Sequence, residues 1–118
     1  MKILVWMDES TSKHNSEAEV AEIIGTVLES VAAKVLRVTV AIRDTNGPKG
    51  GANNLSRLTA HLITGDIIVL SEHAATVVES VNNAANRLQT AICKALQRQQ
   101  LHRNRNSLAE SEAVYAID

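Results

Sequence analysis

Aromatic side chains are nearly missing from this chain of 118 residues: there is no phenylalanine, and Trp6 and Tyr115 stand alone. A module that grips single-stranded RNA by base stacking needs two or three placed aromatics, and neither of these lies in a strand-centre pair. Cysteine is down to Cys93, which excludes an intramolecular disulfide and suits a reducing cytoplasm. No apolar run approaches the length of a membrane span, so no membrane partner is expected. The apolar start, Met1 to Met7, runs into Asp8 and Glu9 without a small-residue cleavage site and reads as a strand rather than a signal peptide. Acids are also missing locally. Between Val81 and Ala109 there is none, while Arg87, Lys94, Arg98, Arg103 and Arg105 supply positive charge; between Asp8 and Glu29 acids outnumber bases. The formal net charge of −1 hides this asymmetry.

What is present is a globular composition built on Val, Ile, Leu and Ala, enough for one domain with a core between a sheet and two helices. Ile3 to Met7 form a first strand and Asp8 to Asn15 a loop. Ser16 and Glu19 read as a capping box. The helix that follows carries Val20, Ile23, Ile24, Val27, Leu28 and Val31 on one face. Gly25 inside it marks close packing on the sheet.

Leu36, Val38, Val40 and Ile42 alternate with Arg37, Thr39, Ala41 and Arg43, giving a strand with one apolar and one basic, polar face. The only proline and three of the five glycines follow at once, in Arg43-Asp44-Thr45-Asn46-Gly47-Pro48-Lys49-Gly50-Gly51. Such a run reverses the chain and leaves Lys49 at the tip. Beyond it Leu58, Ala60 and Leu62 alternate with Arg57, Thr59 and His61, so the two strands pair as an antiparallel hairpin. Thr64-Gly65-Asp66 is a second turn and Ile67 to Leu70 a fourth strand. Thr76 and Glu79 open the longest helix as a second capping box, with Val77, Val81, Ala84, Ala85, Leu88, Ile92, Ala95 and Leu96 as its buried stripe. Residues 104–118 lack periodicity and read as a mobile tail after a domain of residues 1–103. The order β-α-β-β-β-α predicts an α+β fold in which both helices cover one face of a four-stranded, mainly antiparallel sheet.

Several chemistries fit poorly. The glycine-rich loop lacks the Gly-Lys-Ser/Thr ending of a phosphate-binding loop and is followed by a strand rather than a helix. The four histidines are scattered with no pair at i, i+3 or i+4, so neither a metal nor a cofactor is expected. Cys93 sits mid-helix, off the apolar stripe. Asp8, Glu9, Asp44, Asp66 and Glu72 flank turns or strand ends, and spacing neither selects nor excludes a carboxylate pair among them. The basic ridge is the strongest signal. On an ideal helical wheel Arg87, Lys94, Arg98 and Arg105 fall within a few tens of degrees of one another, and strand-face Arg37, Arg43 and Arg57 lie nearby. The pattern favours phosphate contacts with structured RNA.

Val38 to Gly51, ending in Asp44-Thr45-Asn46-Gly47-Pro48-Lys49-Gly50-Gly51, resembles the strand and loop of one branch of the ribosome hibernation-promoting factor family, ribosome-associated inhibitors also called sigma-54 modulation proteins. Ser71 to Ala75 and the Ala84-Ala85-x-Arg87-Leu88 segment resemble the same branch. The chain differs at Ala52-Asn53-Asn54-Leu55-Ser56 and at His61, where that branch carries charged residues and a cysteine. The resemblance implies a short family member without catalytic activity or small-molecule substrate. It would bind ribosomal RNA of the small ribosomal subunit and block tRNA and messenger sites in stress or stationary phase. By position, Arg87, Lys94 and Arg98 would contact RNA from the second helix, with Arg43, Lys49 and Arg57 supporting from the hairpin. Two alternatives stand beside it: a protein-interaction module on the same fold that uses the acidic first helix, and an enzyme using carboxylates such as Asp8 or Asp44.

Overall fold

The computed structural model describes residues 1–12, 15–44 and 53–117, with side chains described as far as Arg98 apart from those of Ser10 and Ser12. In chain order the elements are β1 (Lys2–Met7), α1 (Glu9–Ser12), α2 (Glu17–Val27), a 3-10 helix (Glu29–Lys34), β2 (Val35–Asp44), β3 (Asn54–Leu62), β4 (Ile67–Ala74) and α3 (Val77–Ile117). The four strands form one sheet in the order β1-β2-β3-β4. β1 and β2 run parallel, which requires a crossover, and α2 supplies it. β2, β3 and β4 form an antiparallel meander joined by short connections. This is the α+β fold expected from the sequence, with the short α1 and the 3-10 turn added.

Strand parity decides what is buried. Val38, Val40 and Ile42 of β2 and Ser56, Leu58, Ala60 and Leu62 of β3 point to one face, where α2 and α3 cover them. Val20, Ile24 and Leu28 from the first long helix meet Val81, Ala84, Ala85, Leu88 and Ile92 from the last, all at 2% exposure or less. Burying each of these larger aliphatic side chains stabilises the fold by about 1.5–3 kcal/mol before conformational entropy is counted. Cys93, expected off this stripe, packs partly against it.

Four local differences from the sequence expectation have physical causes. Leu36 is exposed rather than buried, because β2 gains a residue against β3 between Val35 and Arg37. The bulge leaves Leu36 outside the alternation, and Val35 takes the inward position. The chain after β1 is not all loop: the Asp8 carboxylate accepts the Thr11 amide at 2.9 Å and so caps the single turn of α1. α2 ends at Leu28, whose amide still bonds Ile24 O, and the chain tightens into the 3-10 turn that carries Val31 into the core. The fourth strand also runs beyond Leu70 to Ala74, held by its ladder to β3.

Both helix starts carry the expected serine or threonine caps. Ser16 Oγ accepts the Ala18 amide at 3.2 Å, one residue earlier than a capping box with Glu19 requires, and Thr76 Oγ1 accepts the Glu79 amide at 3.1 Å. Gly65 supplies the tight turn before β4 with φ of 96°, the left-handed region that glycine enters at no steric cost. At Gly25 the nearest atom to an added Cβ is Ile3 Cδ1 at 3.8 Å, so α2 lies on β1 there at ordinary contact distance. α3 keeps a helical backbone to Ile117, through most of the stretch expected to be a tail. Ala, Glu and Leu there favour helix. At about 1.5 Å per residue α3 is roughly 60 Å long, well beyond the sheet it packs on. Most of the hairpin loop, residues 45–52, lies outside the described residues, and with it Lys49 and the part of the family resemblance that follows Asp44.

Candidate nucleic-acid interface

Helical phase and strand parity place most of the described cationic side chains on two surfaces that meet at β4, an edge strand. The first surface is a ridge on α3. Arg87, Lys94 and Arg98 are all exposed there. The spacings of seven and eleven residues keep them within about 40° on the wheel and spread them over about 16 Å of axis. Arg105 shares their phase, but its side chain lies outside the described residues. Between this ridge and β4 runs a groove of about 540 Å³, with Leu70 on one wall and Arg87, Thr90 and Lys94 on the other.

Arg87 does not extend freely from the ridge. Its Nη1 donates to Ser71 O at 3.3 Å and pairs with the Glu72 carboxylate of β4. The helix itself carries no acid here, yet the neighbouring strand supplies one. The Arg87 side chain remains 59% exposed within this pair. An ion pair so open to water contributes about 0–1 kcal/mol, so a phosphate could replace Glu72 at little cost.

The second surface is the face of the sheet away from the helices. The register aligns Trp6, Ala41, Arg57 and Ser71 in one row across all four strands, and Lys2, Arg37, His61 and Ile67 in another. Arg43 lies one step further along β2 and places its guanidinium over the Trp6 ring, 5.8 Å from the centroid. The strands contain two acids, Asp44 and Glu72, and both have the opposite parity, towards the helix side. The open face therefore carries Lys2, Arg37, Arg43 and Arg57 without a carboxylate among its strand positions.

One acid stands at its rim, just past β1. Asp8 accepts from the Thr11 amide, from Thr11 Oγ1 at 2.7 Å and from the Asp44 amide at 3.0 Å. Partial burial pushes its carboxyl up, but these hydrogen bonds and the nearby Arg43 outweigh that and hold it below the usual carboxylate range. Asp8 is thus a clasp between the ends of β1 and β2. A carboxylate saturated with donors in this way is poorly placed to abstract a proton. Among the described residues no group of three His, Cys, Asp or Glu could hold a metal ion, and no helix is long and apolar enough to cross a membrane.

Of the residues singled out from sequence, Arg87, Lys94 and Arg98 share the ridge, and Arg43 and Arg57 share the open sheet face on the other side of β4. Trp6 is the residue that sequence reasoning missed. At 52% exposure it lies on the open face beside Arg43. Every residue of β1 after Lys2 is apolar, so no alternation marked which parity faces water; the basic parity of the paired β2 was the one available sign.

No family model matches the chain, and no curated protein is similar to it in sequence. Among solved structures the fold matches a ribosomal subunit interface protein from Coxiella burnetii, with a TM-score of 0.62 and 11% identity over 82% of this chain and 99% of that one. It also matches the N-terminal domain of Protein Y from Thermus thermophilus, with a TM-score of 0.58 and 15% identity over 78% of this chain and 96% of that one. At such identities the likeness is one of fold.

Proposed function

We propose that this chain is a non-catalytic translation regulator of the cytoplasm. It binds ribosomal RNA of the small ribosomal subunit and blocks tRNA and messenger sites in stress or stationary phase. The observation that carries this reading is the line of Arg87, Lys94 and Arg98 along an acid-free stretch of α3, on a fold shared with a ribosomal subunit interface protein. In this reading the ridge makes the main phosphate contacts, and Arg43, Arg57 and Lys49 add contacts from the hairpin. The mechanism is occlusion: a wedge held by charge-assisted hydrogen bonds needs neither cofactor nor bond chemistry.

The test is co-sedimentation of the full chain with small subunits and whole ribosomes over a range of salt. Binding should weaken log-linearly with salt, because the counterions that phosphate contacts release gain less entropy in a more concentrated solution. Arg87→Glu combined with Lys94→Glu should abolish it while circular dichroism stays unchanged. Retained binding in that double variant would remove the ridge from the interface, and no binding even at low salt would end the ribosome reading.

A second reading has its own observation. Glu17, Glu19 and Glu22 are all exposed on α2, away from both cationic surfaces in charge and position. They suit a basic protein partner. Partners recovered through this chain after nuclease treatment, and lost on charge reversal of those three glutamates, would favour that reading over the ribosomal one.

A further inference from the structure

The open sheet face combines three properties that no requirement of the fold explains. It exposes the chain's single tryptophan, along with Leu4 at 42% and Val69 at 49%. It spreads four permanent cations over the strands rather than gathering them at a rim. It excludes carboxylates from every strand position. Indole in water is unfavourable, and four cations on one face, with Asp8 beside Arg43 only at its rim, repel each other. Their common solution is a ligand that offers both a flat π surface and regularly spaced negative charge.

We infer that this face is a platform for single-stranded nucleic acid. One base stacks on Trp6, and the flanking phosphates pair with Arg43, Arg57, Arg37 and Lys2. The sheet supplies the spacing. Adjacent strands lie about 4.8 Å apart and same-face residues about 6.7 Å apart, so Trp6 and Arg57, two strands from each other, span about 10 Å. Arg43 already lies over the indole, as a cation that can hold the phosphate of a stacked nucleotide. With one aromatic the platform holds one base by stacking and the rest of the strand by charge, so binding tolerates sequence but prefers unpaired strands. A second copy of this chain is a poor occupant, since the faces would meet cation to cation. An anionic membrane is disfavoured because the face is flat and has no amphipathic helix to insert. The inference shares Arg43 and Arg57 with the ribosome reading but neither Trp6 nor the ridge, so variants of Trp6 and of the ridge tell the failure of one from the failure of the other.

The single tryptophan makes the test direct, since fluorescence excited at the red edge of the indole band, where Tyr115 does not absorb, reports Trp6 alone. Titration with a short single-stranded RNA of mixed sequence should quench it saturably, and the log-log salt slope should be about −3 for four phosphates. Read by anisotropy of labelled RNA, Trp6→Ala should weaken binding about 5- to 100-fold while Trp6→Phe restores most of it. Arg43→Glu with Arg57→Glu should abolish binding. Arg87→Glu with Lys94→Glu should leave it within about twofold, being distant from the face. The inference is overturned by absence of quenching at low salt, by equal affinity for duplex RNA, by a Trp6→Ala variant that binds like the parent, or by quenching that follows protein concentration or anionic vesicles instead of RNA.

Discussion

The ridge of α3 and the open face of the sheet are two cationic surfaces formed by described residues, and they differ in how charge is held. On the ridge the cations stand in file along one helical line, and the foremost, Arg87, is already paired with Glu72 from the adjoining strand. On the sheet they are dispersed over the strands around an exposed indole, with the acids of the same strands turned to the other side. The first arrangement fits a rigid groove or backbone of set shape, and the second a flexible strand that can lay down one base. A chain with a net charge of −1 can therefore carry two polyanion surfaces, because parity and phase sort charges that composition only adds.

The comparison breaks most sharply one residue to either side of the sheet. Val40→Asp puts a carboxylate among the helix-facing side chains, where it should cost about 4 kcal/mol or more and unfold the domain in urea titration. Thr39→Asp puts the same group on the open face. It should leave the urea midpoint nearly unchanged and reduce RNA binding strongly. If both variants behaved alike, the separation of the two faces would be wrong.

A smaller effect tests how firmly the ridge is tied to the sheet. Ser56 of β3 and Ser80 of α3 are fully buried, and their hydroxyl oxygens lie 2.6 Å apart, with Ser80 Oγ also donating to Val77 O at 2.9 Å. Ser80→Ala leaves the Ser56 hydroxyl without that partner and should destabilise by about 1–3 kcal/mol. Adding Ser56→Ala should recover part of the loss, as a double-mutant cycle in urea would show. Ridge binding should fall more than sheet-face binding in the single variant.

The smallest change frees the ridge. Glu72→Gln removes the partner of Arg87 and should alter stability by less than about 1 kcal/mol. Affinity for a structured RNA should rise a few-fold, with a steeper salt dependence, and Trp6 quenching by single-stranded RNA should not change.

The sheet, the two long helices and the order of elements were legible in the sequence, because Val38, Val40 and Ile42 and the Val81 to Ile92 stripe carry unmistakable periods of two and 3.6. The ridge was legible for the same reason, since helical phase needs only the sequence. What was hidden depends on pairing. The bulge at Leu36 arises from register with β3, which no pattern within β2 encodes. Glu72 as partner of Arg87 depends on β4 extending beyond its apolar run, which its ladder to β3 decides. The exposure of Trp6 depends on which side of a strand apolar from Ile3 to Met7 the crossover helix covers.

The parallel ladder between β1 and β2 sets an order of assembly. β2, β3 and β4 can find one another through short connections, whereas β1 must wait for α2 to form and fold back across some thirty residues, a slower closure in contact-order terms. β1 is also an edge, paired on one side only. β4 is an edge too, but it is tied to β3 by a tight turn, so the amides of β1 should exchange with deuterium ahead of those of the central strands β2 and β3 under native conditions. Since β1 carries Trp6, a brief opening of this one strand would switch off the stacking site while the arginines of β2 and β3 stayed in place.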